Sequence, residues 1–382
     1  MRTVIHVITK LELGGAQQNT LDTCSLLDRR RFRVALLSGP DGLLTSEAAR
    51  IPDIDYRIVP SLSRPIRPVR DYHAFRCLRD HIRQIAAENG PPIVHTHSSK
   101  GGILGRLAAR AADVSDVVHT IHGFGHPACS NLVTRQLALQ AERHVSQHTR
   151  CFVAVSKANL ERGRSLNLFR NSRVELIRSG FDLGRFRARI VDRAEARQRL
   201  GLEPESPLIG TVACFKPQKD LQTFVKTAGA MRSAIPDARF LIVGDGDSRP
   251  DLERMIGAAG LRPAFSLLGW RRDVPEILPA LDVFVLTSRW EGLPRSLVQA
   301  MACGIPVVST SVDGVLDLVT HMETGLLARP GDHLGIARGI SDLIRDEGLR
   351  HRLAANAAPL VDQFDLGTMI AKLEALYESL AG

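Results

Sequence analysis

Short apolar runs rich in β-branched residues alternate along the chain with longer stretches whose apolar residues recur at helical spacing. Strands that alternate with helices form parallel sheets covered by helices on both faces. The pattern predicts strands at residues 4–8, 34–37, 57–59, 93–97, 117–121, 152–155, 174–177, 208–212, 238–243, 265–268, 283–286 and 306–309. Because single open sheets of this many strands are uncommon, we predict two doubly wound α/β domains.

A boundary between the two domains is expected near residues 178–192. A charged helix at 192–200 and a proline-containing loop at 201–207 separate the last strand of the first half from the next strand. We predict an N-terminal domain over residues 1–185, a C-terminal domain over 186–365, and a C-terminal helix over 366–382 that packs back toward the first domain. Ligands of doubly wound domains bind beyond the carboxyl ends of the strands. Two facing domains would therefore form a cleft lined by strand-end loops.

The composition indicates where in the cell the protein is expected and shows that its charge is unevenly distributed along the chain. No run of about 18 apolar residues is present, and no basic and apolar leader precedes the first strand, so we expect neither a membrane span nor a signal peptide. Six cysteines without C-x-x-C spacing are typical of reduced thiols in a cytoplasmic protein. Residues 1–185 hold 27 Lys and Arg against 16 Asp and Glu. This basic half can attract an anionic membrane or a phosphorylated substrate, or it is simply a solvated arginine-rich surface. No nucleic-acid-binding pattern accompanies the charge, so we expect no nucleic-acid partner.

Two turns in the first half carry candidate chemistry. Gly14 and Gly15 follow the first strand, where a backbone can approach a ligand and a helix N-terminus favours an anion. The spacing is not G-x-G-x-x-G and no acidic residue ends the second strand, so an NAD site is disfavoured. His122 lies beside a glycine at another strand end, where its ring can face a ligand. A purely structural role is the alternative for both turns.

Charged residues follow three predicted strands of the second half. Lys216 and Lys219 lie on a loop that opens a helix, where they suit a pyrophosphate or are simply exposed. Asp245 and Asp247 could suggest a divalent metal, but the glycines around them favour a tight strand-to-helix turn, so we expect no metal site. Glu291 comes just before a predicted helix. A carboxylate beside free N–H groups suits sugar hydroxyls and phosphate oxygens, or it caps the helix.

In their order along the chain, these stretches resemble the retaining glycosyltransferases of family 4, which have the GT-B fold. The matching segments are residues 14–16, 95–106, 119–124, 216–219, 241–246, 268–274 and 291–306. The resemblance implies two Rossmann-like domains and a nucleoside-diphosphate sugar as co-substrate. It also implies that neither a metal nor another cofactor is needed.

The resemblance further implies roles for individual residues. His122 matches a histidine near the reacting centre of the donor sugar, and Lys219 matches the lysine that holds the donor diphosphate. Glu291 matches the first glutamate of an E-x7-E motif, which binds the hydroxyls of the donor sugar. These three are the predicted catalytic residues. The predicted donor-binding residues are Gly15, Lys216, Gly292, Leu293, Arg295, Ser296, Leu297 and Gln299.

Three positions depart from the family pattern. Gln299 replaces the second glutamate, so it accepts through one carbonyl and carries no charge. Cys214 stands where an arginine is usual, which removes one phosphate contact that Lys216 or Arg295 could replace. Pro294 removes one backbone N–H from the loop after the glutamate. A weakened site and an altered donor preference are both open.

We therefore predict a retaining glycosyltransferase of the hexosyltransferase type that moves a sugar from a UDP- or GDP-linked donor to a hydroxyl acceptor. Two alternatives stay open: a non-catalytic partner that binds nucleotide sugar, and a GT-B-fold epimerase that acts on the nucleotide sugar itself. We expect a glycan or lipid-linked acceptor. The basic first half and the arginines of residues 64–70 suit a lipid-linked or phosphorylated acceptor at the membrane face. We expect a cytoplasmic protein that contacts the inner membrane face peripherally.

Overall fold

The computed structural model describes residues 1–124, 132–169 and 172–380. The chain divides into two compact units, one formed by Met1–Phe181 with Leu366–Gly382 and the other by Asp182–Asp365. The boundary between the first unit and the second thus falls after Phe181. The sequence had placed this boundary after residue 185. Of the six cysteines, Cys129 lies outside the described residues, and the other five are free thiols.

The first unit is built on a fully parallel seven-stranded sheet in the order β3-β2-β1-β4-β5-β6-β7. Its strands are β1 (Arg2–Ile8), β2 (Phe32–Ser38), β3 (Ile54–Ile58), β4 (Ile93–His97), β5 (Val117–Ile121), β6 (Cys151–Ala154) and β7 (Arg173–Leu176). Helices connect the strands: α1 (Gly15–Leu26), α2 (Thr45–Ala48), α3 (Pro68–Asn89), α4 (Ser99–Ala111), α5 (Leu132–Ser146) and α6 (Lys157–Ser165). The central strands are buried on both faces, as expected when helices cover both sides of a sheet.

The second unit has a parallel six-stranded sheet in the order β10-β9-β8-β11-β12-β13. Its strands are β8 (Leu208–Val212), β9 (Arg239–Val243), β10 (Phe265–Leu267), β11 (Val283–Leu286), β12 (Val307–Thr310) and β13 (Leu326–Ala328). Its helices are α7 (Leu183–Arg187), α8 (Arg193–Arg199), α9 (Leu221–Met231), α10 (Arg249–Ala258), α11 (Val274–Ile277), α12 (Arg295–Ala302), α13 (His333–Arg345) and α14 (Glu347–Ala357). Short 3₁₀ turns lie at Pro217–Lys219, Arg262–Ala264, Leu278–Ala280, Asp313–Val315 and Ala358–Phe364.

Both sheets follow the doubly wound strand order, so the predicted fold class of two Rossmann-like domains is confirmed. In such sheets all strands run the same way, but the side on which successive strands are added changes at one point, and ligands bind there beyond the carboxyl ends of the strands. The switch points lie between β1 and β4 in the first unit and between β8 and β11 in the second. The loops that follow these four strands are therefore where functional side chains are expected.

The last helix, α15 (Leu366–Ser379), belongs to the first unit. Its apolar side chains, among them Met369, Leu373 and Tyr377, pack into one core with residues of β1, β4 and β5. On the polar side, Arg31 pairs with Glu374 at 2.7 Å. The predicted return of the C-terminal helix to the first domain is confirmed. None of the helices that the structure describes is both long and apolar enough to cross a bilayer.

Most predicted strands lie within two residues of their observed bounds, and the two larger differences both concern edge strands. Strand β3 spans Ile54–Ile58, so it begins three residues and ends one residue earlier than predicted. It is only partly covered and has no clear run of buried residues that would mark its bounds. Strand β13 was not predicted. It has only three residues and is recognisable only through its pairing with β12.

Candidate active site

Two predicted catalytic residues meet at the switch point of the second sheet. Lys219 ends the 3₁₀ turn that follows β8, and Glu291 lies in the loop after β11. The Lys219 Nζ atom is 2.6 Å from Glu291 Oε1. Since β8 and β11 are neighbours in the sheet, strand order brings together two residues that are 72 positions apart in the chain.

The Glu291 carboxylate has two further partners that the sequence did not reveal. Ser288 donates its hydroxyl to Oε1 at 2.5 Å. Gln218 donates its amide to Oε2 at 3.4 Å and to the carbonyl of Trp290 at 2.9 Å. The position of Ser288, three residues before the glutamate in the same loop, is the signal that could have identified it. Gln218 could not be found without the strand order.

Backbone contacts tie the two loops together. Thr287 donates its hydroxyl to the carbonyl of Lys219 at 2.9 Å, and the amide of Arg289 donates to the carbonyl of Gln218 at 2.8 Å. Asp220 has a left-handed backbone (φ 45°), which lets the 3₁₀ turn pass directly into α9. The lysine and the glutamate are thus held by main-chain geometry as well as by their own ion pair.

Burial and charge act in opposite directions on the lysine. Only 16% of the Lys219 side chain and 5% of the Glu291 side chain are exposed. Burial lowers the pKa of Lys219, but the charges of Glu291 and Cys214 and the hydrogen bond to Glu291 outweigh it, so the pKa is raised. Lys219 is therefore a cation at neutral pH. Breaking such a buried pair by removing one partner is costly, because the other charge stays buried without compensation.

Helix α12 begins directly after Pro294, which is its N-cap residue. The first N–H groups of a helix have no intrahelical acceptor and carry a partial positive charge. Arg295, Ser296 and Gln299 are partly exposed on this helix, close in sequence to the glutamate loop. Leu297 is fully buried, and its amide donates to the carbonyl of Pro294 at 3.0 Å. Leu297 therefore supports the helix and offers no free group.

The remaining predicted donor-binding residues lie in the same two loops. Gly292 is buried and Leu293 is partly exposed between the glutamate and the helix. Lys216 precedes the 3₁₀ turn as its N-cap, and Cys214 lies between it and β8. The structure thus places every predicted donor-binding residue of the second unit at its switch point.

The first unit places Gly15 and His122 at the ends of different strands of its sheet. Gly15 is the exposed first residue of α1, which follows β1. His122 follows β5, and its Nε2 lies 3.1 Å from Nδ1 of His97. Burial lowers the pKa of His122 to about 4. The ring is therefore neutral at physiological pH.

The segment that could have suggested a metal forms a turn. Gly244 and Gly246 have positive φ angles of 138° and 152° and lead from β9 toward α10. The Asp245 carboxylate accepts a hydrogen bond from Arg249 at 3.0 Å. A Cβ atom on Gly244 would lie 2.0 Å from the carbonyl oxygen of Ala213, which explains why glycine is required. The predicted strand-to-helix turn is present.

Comparison with known proteins agrees with this architecture. Residues 13–185 match the family model described as Glycosyltransferase Family 4, and residues 192–359 match the model described as Glycosyl transferases group 1. An Escherichia coli protein described as UDP-Gal:alpha-D-GlcNAc-diphosphoundecaprenol alpha-1,3-galactosyltransferase is 31% identical over 383 residues. The alignment covers 98% of this chain and 96% of that protein.

Solved structures show the same fold. HepE of Anabaena, solved in complex with UDP and glucose, superposes with a TM-score of 0.82 at 22% identity, covering 99% of this chain and 100% of that one. Sucrose-phosphate synthase of Thermosynechococcus elongatus gives 0.85 at 20% identity, covering 100% of this chain and 99% of that one. The chain belongs to the family 4 glycosyltransferases, as the resemblance implied.

Gly314 should be essential for the geometry of the glutamate loop. A Cβ atom there would lie 1.8 Å from the carbonyl oxygen of Gly292, a main-chain atom that cannot move without displacing the loop. We expect Gly314→Ala to lower the free energy of unfolding by about 1–3 kcal/mol, measured by denaturant titration with tryptophan fluorescence.

Gly229→Ala is the matched control for this change. Gly229 lies in α9, and its added Cβ meets no atom within 4 Å. Alanine should be neutral or stabilise the helix by about 0.5–1 kcal/mol. If Gly314→Ala unfolded at the same denaturant concentration as wild type, the close contact with the Gly292 carbonyl would not constrain the loop.

Proposed function

We propose that this protein transfers a hexosyl group from a UDP-linked sugar to a hydroxyl of a lipid-diphosphate-linked glycan, with retention of anomeric configuration. The observation that carries the proposal is the buried Lys219–Glu291 pair beside the N-terminus of α12, at the switch point of the second sheet. Lys219 is a fixed cation that can bind a diphosphate. Glu291 is a fixed carboxylate that can accept hydrogen bonds from sugar hydroxyls.

The chemistry asks mainly for stabilisation of the leaving diphosphate. Negative charge develops on the diphosphate oxygen as the glycosidic bond breaks, and a preorganised cation lowers the energy of that state. Lys219 and the amide groups at the start of α12 provide such a positive potential. Glu291 accepts hydrogen bonds from hydroxyls of the donor sugar and holds the sugar for attack by the acceptor hydroxyl on the face that the diphosphate leaves. The bond from the anomeric carbon to the diphosphate oxygen breaks as the bond to the acceptor oxygen forms, and the departing diphosphate takes the proton of the acceptor hydroxyl. No metal or other cofactor takes part in this proposal.

The choice of donor and acceptor follows the Escherichia coli relative, whose described substrates are UDP-galactose and a GlcNAc-diphosphoundecaprenol. That relative matches nearly the whole chain. A GDP-linked donor is the alternative that the residues of the site leave open. The reaction products distinguish the two alternatives from sugar transfer: a non-catalytic partner forms none, and an epimerase forms an isomeric nucleotide sugar.

A donor panel tests the proposed function. We expect UDP and one UDP-hexose to raise the unfolding temperature of the protein more than GDP and GDP-sugars do, because ligands that bind only the folded state stabilise it by mass action. With a short-chain GlcNAc-diphospholipid acceptor, the same donor should give a new glycoside with the anomeric configuration of the donor, detected by NMR.

Each other outcome has its own meaning. Stabilisation by a nucleotide sugar without transfer or hydrolysis would favour the non-catalytic partner. Conversion of the donor to an isomeric nucleotide sugar without any acceptor would identify the epimerase. A product with inverted configuration would reject retention while keeping glycosyl transfer.

We also propose that the first unit binds the anionic inner face of a membrane through residues 64–69, which lead into α3. Ile66 and Val69 are 83% and 73% exposed, and the side chain of Arg64 is 69% exposed. Arg67 beside them is also exposed. Next to this segment, a groove of about 450 Å³ between α3 and α4 is lined largely by apolar side chains, including Phe75 and Leu104. Exposed apolar side chains flanked by arginines suit the surface of an anionic bilayer that carries the lipid-linked acceptor.

Vesicle sedimentation tests this membrane contact. We expect the wild-type protein to pellet with vesicles containing phosphatidylglycerol at low salt and to be released at high salt. Each basic residue near such a surface contributes about 1 kcal/mol. Replacing both Arg64 and Arg67 by alanine should therefore weaken binding about 30-fold. Arg254→Ala, an exposed arginine of the second unit, is the matched control. Equal pelleting of all variants would contradict the assigned surface.

A further inference from the structure

Three histidines lie in the core of the first unit, on the sheet face covered by α15. His6 of β1 is paired in register with His95 of β4, and His97 lies two residues further along the same strand. Their side chains are at most 1% exposed. Placing polar rings in an apolar core is unfavourable unless their nitrogens are hydrogen-bonded. Hydrogen bonds to the ring nitrogens must therefore compensate for the burial of this cluster.

Two of these rings form a hydrogen-bonded line that ends at the candidate catalytic histidine. His6 Nδ1 lies 2.9 Å from His97 Nε2, and His97 Nδ1 lies 3.1 Å from His122 Nε2. Each contact joins two ring nitrogens, so each contains one shared proton when the rings are neutral. Burial lowers the pKa values of all three rings, so all three are neutral at physiological pH.

His95 stands beside this line but is bonded elsewhere. Its Nδ1 is 2.5 Å from the Tyr377 hydroxyl of α15, and its Nε2 is 2.7 Å from the Thr120 hydroxyl. His6, His95 and His97 could offer a metal three nitrogens within 4.8 Å. Yet of the six ring nitrogens of His6, His95 and His97, only Nε2 of His6 lacks a hydrogen-bond partner among the described residues. A metal would have to break these bonds, so the geometry favours the hydrogen-bonded line.

The unpaired end of the line fixes the direction of its protons. If His6 carried its proton on Nε2, a buried N–H donor would have no acceptor, and such orphaned donors are rare in proteins. The nearby Arg29 charge lowers the pKa of His6 further, so the ring carries a single proton. The proton of His6 is therefore on Nδ1, where it is donated to His97. The proton of His97 must then be on Nδ1, where it is donated to His122.

We propose that His6 and His97 are positioning residues that hold His122 in its Nδ1–H tautomer, with Nε2 accepting a hydrogen bond. His122 then presents a neutral N–H donor on the side of its ring that faces away from the line. A neutral donor suits an oxygen near the reacting centre of the sugar, and it cannot act as a base through that nitrogen. The catalytic part of the inference rests on the proposed function. The tautomer itself does not.

Long-range ¹H–¹⁵N NMR of the full chain with ¹⁵N-labelled histidine tests the tautomer directly, because protonated and bare ring nitrogens have separate shifts. The signals of His6, His97 and His122 are assigned by their loss in His6→Leu, His97→Leu and His122→Gln. We expect all three rings to be protonated on Nδ1 and bare on Nε2. A proton on Nε2 of His122 or His97 overturns the proposal.

Two substitutions of His97 distinguish positioning from packing. Asparagine places an amide N–H near the Nδ1 position and can still donate to His122, whereas leucine fills the space without a donor. We expect His97→Leu to lower kcat about 10- to 100-fold with little change in the donor KM, and to abolish the fixed tautomer of His122. His97→Asn should keep the tautomer and recover most of kcat. Equal loss in both variants, or an unchanged tautomer in His97→Leu, overturns the proposal.

Tyr377→Phe is the matched control. It removes a buried hydroxyl from His95, beside the line but not in it. We expect a lower unfolding temperature with an unchanged His122 tautomer and unchanged kcat. If the wild-type protein turned over no donor, the proposed function would fail. The spectra would still decide the tautomer, so the two failures are distinguishable.

Discussion

Replacing Lys219 by alanine is expected to lower the rate of sugar transfer by about 10²–10³-fold, the range seen when one preorganised donor to a developing negative charge is lost. The lysine is buried, cationic and held 2.6 Å from a carboxylate, so it is fixed in place before any donor binds. Little reorganisation is then needed as the diphosphate departs. The measurement is steady-state kinetics of transfer with the donor that the panel identifies.

Two controls separate charge from general damage. Lys226→Ala removes an exposed lysine from α9, the helix that directly follows the turn containing Lys219. This change should leave kcat unchanged. Lys219→Arg keeps the charge but exchanges a compact ammonium for a planar fork, so it should recover only part of the rate. A Lys219→Ala enzyme with wild-type kcat would exclude this lysine from leaving-group stabilisation.

Glu291→Gln should lower kcat/KM by about 10²-fold while changing the affinity for UDP much less. Truncating one partner of a buried, hydrogen-bonded charge pair costs about 2–5 kcal/mol. In the proposed function the carboxylate holds the sugar rather than the diphosphate, so UDP alone should not depend on it strongly. Calorimetry with UDP and kinetics with the complete donor distinguish the two effects. Glu253→Gln, at a half-exposed position of α10, is the control.

The same variant should acquire a new dependence on pH. In wild type the Glu291 charge raises the pKa of Lys219 against the effect of burial. Without that charge the burial effect dominates and the lysine pKa falls, so Lys219 loses its proton at a lower pH than in wild type. Activity that needs the cation must then decline on the alkaline side at a lower pH. Superimposable pH–rate profiles of Glu291→Gln and wild type would contradict the coupling between the two residues.

Much of the fold was predictable because parallel strands buried on both faces are short and rich in apolar and β-branched residues. Strands β4, β5, β8 and β11 have their predicted bounds. Edge strands carry a weaker pattern, since one side lacks a partner strand and solvent covers part of the surface. Strand β13 is a three-residue example whose existence depends on β12, not on its own sequence.

The candidate site was predictable one residue at a time, but its contacts were not. Lys219 and Glu291 each stand at a strand end, which the sequence shows. Their ion pair depends on β8 and β11 being neighbours, and this follows only from the strand order. Gln218 was missed because an amide on a loop has no distinctive pattern. His6 was missed because a single polar residue in an apolar strand gives no sign of the strand beside it.

The return of α15 to the first unit has a consequence for synthesis of the chain on the ribosome. Residues 182–365 form a complete unit of their own, inserted between the two segments of the first. The amide of Leu366 donates to the carbonyl of Phe181 at 3.0 Å, so the two segments meet where the inserted unit begins and ends. Until α15 emerges, the sheet face that contains the histidine line lacks its cover and His95 lacks Tyr377. The second unit can therefore fold during translation before the first is complete, and the nascent first unit exposes apolar surface that chaperones recognise.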